Sequence, residues 1–293
     1  MESRLSATLA GLAWLACVGC GFGGAPCLAD GDTAGGSTIW TEQTQELQFD
    51  TAGLAALEVR THNGEIKFDN ELTSPDQAGV VVTVKGGGRT QAEADEALRA
   101  IKVYNERNPD GTQRLGWKWV GLKQPHWRAR VSFEIHAPSN LKFDGETHNG
   151  PVKIDHVAGE ARIVTHNGQI DVTSRSGKLQ VETHNGKINA DYDGSDITLI
   201  THNGEVVADL SRCGVVKGTI QTHNGDARVI VGDNISADLH CEKHNGSVIF
   251  DDVPVGRLES SQRNRVLTGK LGSGGGRLNI ATHNGSVRVQ KSG

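Results

Sequence analysis

From residue 141 onward, apolar and polar residues alternate along the chain with a period of two. Around His184, the residues Leu179 and Val181 share one parity, while Gln180, Glu182 and His184 share the other. This alternation is typical of β-strands, because successive side chains of a strand point to opposite faces. We therefore predict short strands that bury the apolar parity and expose the parity of His184.

A tetrapeptide, Thr-His-Asn-Gly, recurs through these strands. Its complete copies begin at Thr61, Thr147, Thr165, Thr183, Thr201, Thr222 and Thr282. A variant runs from Lys243 to Gly246, and a decayed copy runs from Gln262 to Arg265. From Thr147 onward, neighbouring copies start 18–21 residues apart. A repeat of this length indicates a stacked solenoid with one supersecondary unit per repeat.

Each Asn-Gly pair is expected to turn a corner between two short strands, because both residues tolerate positive φ. A second corner is expected near Gly159, Gly177 and Asp193. The predicted fold is therefore all-β, a parallel β-solenoid of 18–21-residue coils. Thr and Asn should face inward or into the corner, and the inward Asn column should form an amide ladder along the stack. The predicted turn residues are Asn149, Gly150, Asn167, Gly168, Asn185, Gly186, Asn203, Gly204, Asn224, Gly225, Asn245, Gly246, Asn284 and Gly285.

Residues 70–140 interrupt the repeats, and we predict that they form a small α+β insertion covering one end of the stack. The alternation predicts strands over Ala78–Lys85, Arg114–Leu122 and Trp127–His136. Between the first two, Thr90 to Lys102 has a helical apolar pattern with Thr90 as its N-cap. The β-solenoid domain is then expected over residues 46–293, with the regular repeats over residues 141–290.

The first residues have the features of an export signal. The apolar stretch from Leu5 to Val18 is too short to cross a bilayer and is typical of a signal peptide. The sequence Cys17-Val18-Gly19-Cys20 resembles a lipobox, which predicts a signal peptide over residues 1–20 and a lipid on Cys20. Cleavage after Ala29 is the alternative, and residues 30–45 would then form a tether. Either route predicts an exported protein: a lipoprotein of the outer or cytoplasmic membrane, or otherwise a periplasmic or extracellular protein.

Composition adds constraints on the core and the partners. The chain has 293 residues, 38 of them Gly, and only 4% are aromatic, so we expect a thin interior. A formal net charge of −5 argues against a nucleic-acid partner, because phosphate binding needs clustered Lys and Arg. Outside the signal region only Cys213 and Cys241 remain, and their spacing matches no zinc motif. They could form a disulfide in an oxidising compartment or remain two free thiols.

The residues also carry a family resemblance. The chain has Glu-Ile-His-Ala-Pro at 134–138, then Leu-Lys-Phe-Asp-Gly-Glu-Thr-His-Asn-Gly from Leu141, then repeated Thr-x-Asn-Gly-x-Ile/Val-x-Val. Over roughly residues 45–290 this pattern resembles the bacterial adhesin-like β-solenoid domain, a domain of unknown function. The resemblance implies an exported, surface-associated and non-catalytic protein, and it brings no catalytic residues with it.

The outward histidine of each motif is the main candidate for chemistry. Imidazole is the commonest metal ligand, so the column could hold a divalent metal, although a ladder offers two ligands where zinc prefers three or four. Protonating all 12 His would change the formal charge from −5 to +7, which suggests pH sensing as a second use. The third interpretation is a copied repeat whose histidine has no ligand. The candidate ligands are His148, His166, His184, His202, His223, His244 and His283, with Arg263 at the decayed position.

Two further features invite a functional interpretation. Lys243 replaces an inward Thr next to the decayed copy, which indicates either a site or simple divergence. Trp117 and Trp119 share a strand face and, with Trp127, could stack on a sugar or pack against the end of the stack.

No arrangement of nucleophile, base and orienting residue is present in the sequence, and no cofactor motif opens a helix. We therefore expect a non-catalytic envelope protein that binds a glycan or a protein surface or has a structural role, with a membrane contact through lipidated Cys20. A metal-binding or pH-responsive module is the alternative. A polysaccharide-acting enzyme is a remote alternative, because such enzymes also use β-solenoids.

The lipid anchor can be tested directly. A cell expressing the full chain should incorporate radiolabelled palmitate into it, and Cys20→Ala should abolish the label, because the thiol of Cys20 is the acceptor in the lipobox prediction. Equal labelling of the two proteins would exclude Cys20 as the lipidated residue.

Overall fold

The computed structural model describes residues 38–72, 74, 76–261 and 265–293. The signal peptide, Cys20, the cleavage site after Ala29 and Arg263 lie outside the described residues. Within them the chain is nearly all β, with two long sheets of 11 and 12 strands and one short helix. No helix in the described part is long and apolar enough to cross a membrane.

The N-terminal elements include all of the helical structure described. They are β1 (Ile39–Asp50), β2 (Ala56–Arg60), β3 (Ile66–Asp69), β4 (Gln77–Gly88), α1 (Gln91–Ala100), β5 (Ile101–Arg107), β6 (Thr112–Trp119) and β7 (Arg128–His136). Thr90 caps α1, and its side chain accepts a hydrogen bond from the Glu93 backbone N–H. The chain leaves the helix at Ile101 and enters β5 directly, two residues earlier than the helical pattern predicts.

Strands β8 to β17 alternate between the two sheets, one pair for each repeat. They are β8 (Lys142–Asn149), β9 (Val152–Val157), β10 (Ala161–Asn167), β11 (Ile170–Ser174), β12 (Lys178–Asn185), β13 (Ile188–Tyr192), β14 (Asp196–Asn203), β15 (Val206–Leu210), β16 (Lys217–Asn224) and β17 (Ala227–Val231). Neighbouring strands are parallel, and their register pairs identical motif residues, for example Thr165 with Thr183 and Asn185 with Asn203.

The apolar parity of these strands forms the core. Residues such as Leu179, Val181, Ile188, Leu199 and Val206 have no solvent exposure. The motif threonines of these strands are also buried. The interior of each coil is therefore a narrow row of aliphatic side chains with one Thr at the corner. The predicted long parallel β architecture is confirmed.

At the N-terminal end, antiparallel strands continue both sheets. One sheet begins with β1, β4 and β7, and the other with β5 and β6. Because β1 pairs with β4 over its whole length, residues 39–45 are part of a strand, whereas the sequence predicted a tether there. The backbone hydrogen bonds of a twelve-residue antiparallel pair account for that difference.

The C-terminal strands depart from the expected order. They are β18 (Ala237–Asn245), β19 (Val248–Asp251), β20 (Gly256–Ser261), β21 (Val266–Leu271), β22 (Arg277–Asn284) and β23 (Val287–Lys291). The pair β22–β23 lies between β16–β17 and β18–β19 in both sheets. Strands β20 and β21 are antiparallel to one another, and β21 is antiparallel to β18, so the segment expected to form a decayed coil forms a hairpin.

Cys213 and Cys241 are free and buried, so the disulfide alternative is not formed here. Burial is the largest cause that raises the pKa of each thiol to about 12. Both are therefore poor nucleophiles at neutral pH.

The Gly of each motif lets neighbouring coils approach closely. A methyl group on Gly186 would overlap the backbone carbonyl of Gly168, and a methyl group on Gly204 would overlap the carbonyl of Gly186. Gly204 also has φ of +157°, where L-residues with side chains are rare. The Gly of the complete motifs is thus explained by the backbone of the coil beside it.

We expect Gly186→Ala to lower the free energy of unfolding by about 3 kcal/mol, because a fixed backbone carbonyl cannot move aside for the methyl group. The matched control is Gly214→Ala, since a methyl group added there would meet no heavy atom within 4 Å. Urea unfolding followed by circular dichroism measures both. Equal unfolding midpoints for the two variants would contradict this explanation of the motif.

Candidate functional site

The Asn side chains of the motifs form a continuous amide ladder. Asn167 Nδ2 donates to Asn149 Oδ1 at 2.7 Å, and Asn185 Nδ2 donates to Asn167 Oδ1 at 2.8 Å. The ladder extends through Asn203, Asn224, Asn284 and Asn245 with distances of 2.7–2.8 Å. Every amide donates toward the N-terminal end of the column, where Asn63 Nδ2 donates to the Ala129 carbonyl.

The Thr hydroxyls form a second ladder inside the corner. Thr183 Oγ1 donates to the Gly168 carbonyl at 3.2 Å, and Thr201 Oγ1 donates to the Gly186 carbonyl at 3.0 Å. The acceptor is the same carbonyl that lies against the next motif Gly. Each Thr therefore ties its own coil to the corner of the coil before it.

The His side chains stack along the outer surface of the same column. Neighbouring ring centroids are 4.4–4.8 Å apart and the ring planes are within 10° of parallel. All the rings are on exposed residues. The order along the stack is His62, His148, His166, His184, His202, His223, His283 and His244.

This order adds His62 to the predicted column and places His283 before His244. The motif at Thr61 is visible in the sequence, but 86 residues separate it from Thr147 and hide its place in the stack. The structure brings them together because β2 pairs directly with β8.

A groove of about 590 Å³ runs along the His column, from His62 to His223. The opposite wall consists of the outward residues two positions before each His, while the motif threonines lie between the walls. These wall residues are Glu146, Val164, Glu182, Ile200 and Gln221. The groove therefore presents imidazole edges on one side and carboxylate, amide and aliphatic groups on the other.

Two imidazoles of the stack, those of His62 and His223, have a pKa below the ordinary value. Burial is the largest cause lowering the pKa of His223, followed by the imidazoles of His283 and His202. Burial is also the largest cause that lowers the pKa of His62, and the charges of His148 and Lys123 lower it further. Adjacent imidazoles would each carry a positive charge after protonation, so each proton disfavours the next.

Parallel rings do not form a usual metal site. The lone pair of an imidazole nitrogen lies in the ring plane, so the lone pairs of two parallel stacked rings cannot converge on one ion. Zinc sites use three or four convergent ligands. Across residues 38–72, 74, 76–261 and 265–293, no group of three or more His, Cys, Asp or Glu could hold a metal ion.

The structure gives the other candidate residues packing roles. Trp127 is 8% exposed, and Trp117 packs against the core while its Nε1 donates to Thr61 Oγ1 at 3.2 Å. Trp119 lies between them, with ring centroids 5.7 Å from Trp117 and 5.9 Å from Trp127. Lys243 is half-buried in register with Thr282, and its backbone N–H donates to the Arg265 carbonyl.

The sequence matches the family described as Toastrack DUF4097 over residues 33–231. No curated protein matches the chain.

Solved structures with a similar arrangement have low sequence identity to the chain. A "putative cell adhesion protein" from Clostridium sporogenes is 13% identical, with 86% of this chain and 100% of that chain covered and a TM-score of 0.37. A "putative adhesin" from Bacteroides fragilis is 8% identical, with 85% and 97% covered and a TM-score of 0.34. A "putative lipid binding protein" from Parabacteroides distasonis is 11% identical, with 86% and 97% covered and a TM-score of 0.36. Likeness at this level carries no functional argument.

We expect the protein to lose stability as the pH falls below about 6.5, the ordinary pKa of His in the unfolded chain. The pKa values of His62 and His223 are lower when folded, so below 6.5 the unfolded state binds more protons. The stabilisation is complete above 6.5 and is lost as the pH falls toward the folded pKa values. Urea unfolding between pH 7.5 and pH 5.5 measures the effect.

His223→Gln should reduce this dependence on pH, because it removes one of the two histidines whose pKa is lowered. An unfolding midpoint that is constant from pH 7.5 to 5.5 in the unsubstituted protein would contradict the prediction. An equal loss of stability in His223→Gln would show that His223 does not contribute.

Proposed function

Because the chain belongs to the Toastrack DUF4097 family, we propose that it is an exported, non-catalytic binding protein of the bacterial cell envelope. Its contact surface is the groove along the stacked histidines. The observation that supports this function is the continuity of that groove, since six of the eight stacked imidazoles line it at nearly equal spacing and present the same edge repeatedly.

A linear glycan is the partner that this surface fits best. Neutral imidazole carries one hydrogen-bond donor and one acceptor, and both can pair with hydroxyl groups. Glu182 on the opposite wall adds a carboxylate acceptor, while Val164 and Ile200 supply apolar contact for sugar C–H faces. The column is roughly 30 Å long at the coil spacing, so weak contacts can accumulate along an extended chain.

Attachment to the envelope would come from a lipid on Cys20, with simple secretion as the alternative. This function needs no cofactor. A divalent metal on the His column is the alternative use, and it would require rings to turn out of their parallel arrangement. Saturable binding of Zn²⁺, Ni²⁺ or Cu²⁺ in calorimetry, lost at acid pH, would favour it.

The glycan proposal is tested with a glycan array followed by calorimetric titration of the best linear oligosaccharide. We expect His184→Ala to weaken binding about tenfold, because it removes an imidazole from the middle of the groove, which is a loss of roughly 1.4 kcal/mol. The matched control is His240→Ala, since His240 is on the same sheet and outside the groove. Equal loss in the two variants, or no glycan bound at all, would contradict the proposal.

A further inference from the structure

The coil formed by β22 and β23 lies out of chain order in the stack. Through β16–β17, each pair of strands in the regular repeats follows its predecessor. The next pair along the chain, β18–β19, is instead separated from β16–β17 by the width of one coil. That space is filled by residues 277–291, which arrive only after the β20–β21 hairpin. We call residues 277–291 the inserted coil.

The two coils on either side meet just before the inserted coil enters. Val215 forms a parallel bridge with Ser236, and the Ser236 backbone N–H donates to the Gly214 carbonyl at 3.0 Å. From there β16 and β18 separate, because β22 pairs with Gly218 on one side and with Asp238 on the other. The pair therefore forms a fork that closes at one end and holds the inserted coil at the other.

The inserted coil makes the Thr and Asn contacts of the regular repeats on its β16–β17 side and the Asn contact on its β18–β19 side. Thr282 Oγ1 donates to the Gly225 carbonyl at 2.8 Å, and Asn284 Nδ2 donates to Asn224 Oδ1 at 2.8 Å. On the other side Asn245 Nδ2 donates to Asn284 Oδ1 at 2.7 Å. The fork thus recognises a Thr-His-Asn-Gly coil through its backbone and motif, and a coil from another copy of the chain meets the same requirements.

A glycine-rich loop joins the inserted coil to the hairpin. Residues 272–276 are Gly-Ser-Gly-Gly-Gly, and Gly272, Gly274 and Gly275 have φ of +53°, +76° and +109°. Gly is the residue that adopts positive φ without steric cost, so this loop has few steric limits on its backbone path. We call residues 272–276 the hinge.

We propose that the inserted coil is exchangeable, and that the fork of one molecule accepts the inserted coil of a second copy of the chain. The exchanged form has the same strand pairs, ladders and ring stacks as the closed form, so the two differ mainly in the hinge and in the cost of association. Exchange of an identical element is a low-cost route to a dimer. The interaction surface is the pair of coil edges at β16–β17 and β18–β19.

Disulfide trapping between full-length chains tests the exchange. Thr219 and Asn279 are register partners on the outer faces of β16 and β22. Neighbouring strands are about 4.7–4.9 Å apart, which is within the range that a disulfide bridges. Thr219→Cys chains and Asn279→Cys chains are mixed at high concentration in mild urea, returned to buffer and oxidised. Exchange of a coil between molecules places the two cysteines in register, so it favours a covalent heterodimer over random collision of exposed thiols.

The matched control mixes Gln180→Cys with Thr198→Cys, since these residues are register partners in coils that follow chain order. We expect at least tenfold more covalent heterodimer from the first mixture than from the control on non-reducing gels. Equal amounts would overturn the proposal.

A chain carrying both Thr219→Cys and Asn279→Cys establishes whether the pair can bridge at all. It should oxidise within one molecule. Oxidation there without heterodimer in the mixture overturns the exchange, and failure to oxidise contradicts the register on which the proposal rests. The buried native thiols do not interfere, because burial raises the pKa of each to about 12.

Discussion

The close approach of one coil to the next at the Asn-Gly corner is the constraint on which the rest of the structure depends. The carbonyl of each motif Gly occupies the space where a side chain of the next Gly would be. That carbonyl also accepts the Thr hydroxyl of the following coil, so the corner is fixed by a steric limit and a hydrogen bond together. Asn and His occupy the two positions between Thr and Gly, and their stacking follows from the register that the corner sets.

Much of this could be derived from the sequence because the signals are local. The period of two, with Leu179 and Val181 on one parity, predicts strands, and Thr90 followed by Glu93 predicts the start of the helix. The resemblance to the adhesin-like domain of unknown function is confirmed by the family match over residues 33–231. In each case a few neighbouring residues carry the information.

The remaining features depend on pairings that no local pattern encodes. His62 joins the stack because β2 pairs with β8, although an insertion separates them in the chain. His283 comes before His244 along the stack, although it comes later in the chain. The repeat does not encode this order, because every coil offers the same edges to its neighbours. For the same reason, the sequence predicts that Arg263 continues the His column. The strand that follows it, Val266–Leu271, instead pairs antiparallel with β18.

The amide ladder has a further consequence, because all of its members point the same way. At the N-terminal end the last donor, Asn63, is satisfied by a backbone carbonyl of β7, so that end is closed. At the other end, the last amide of the ladder among the described residues is Asn245, and its carboxamide oxygen is an acceptor. The column is therefore polar, with one closed end and one end that can only be extended by a donor.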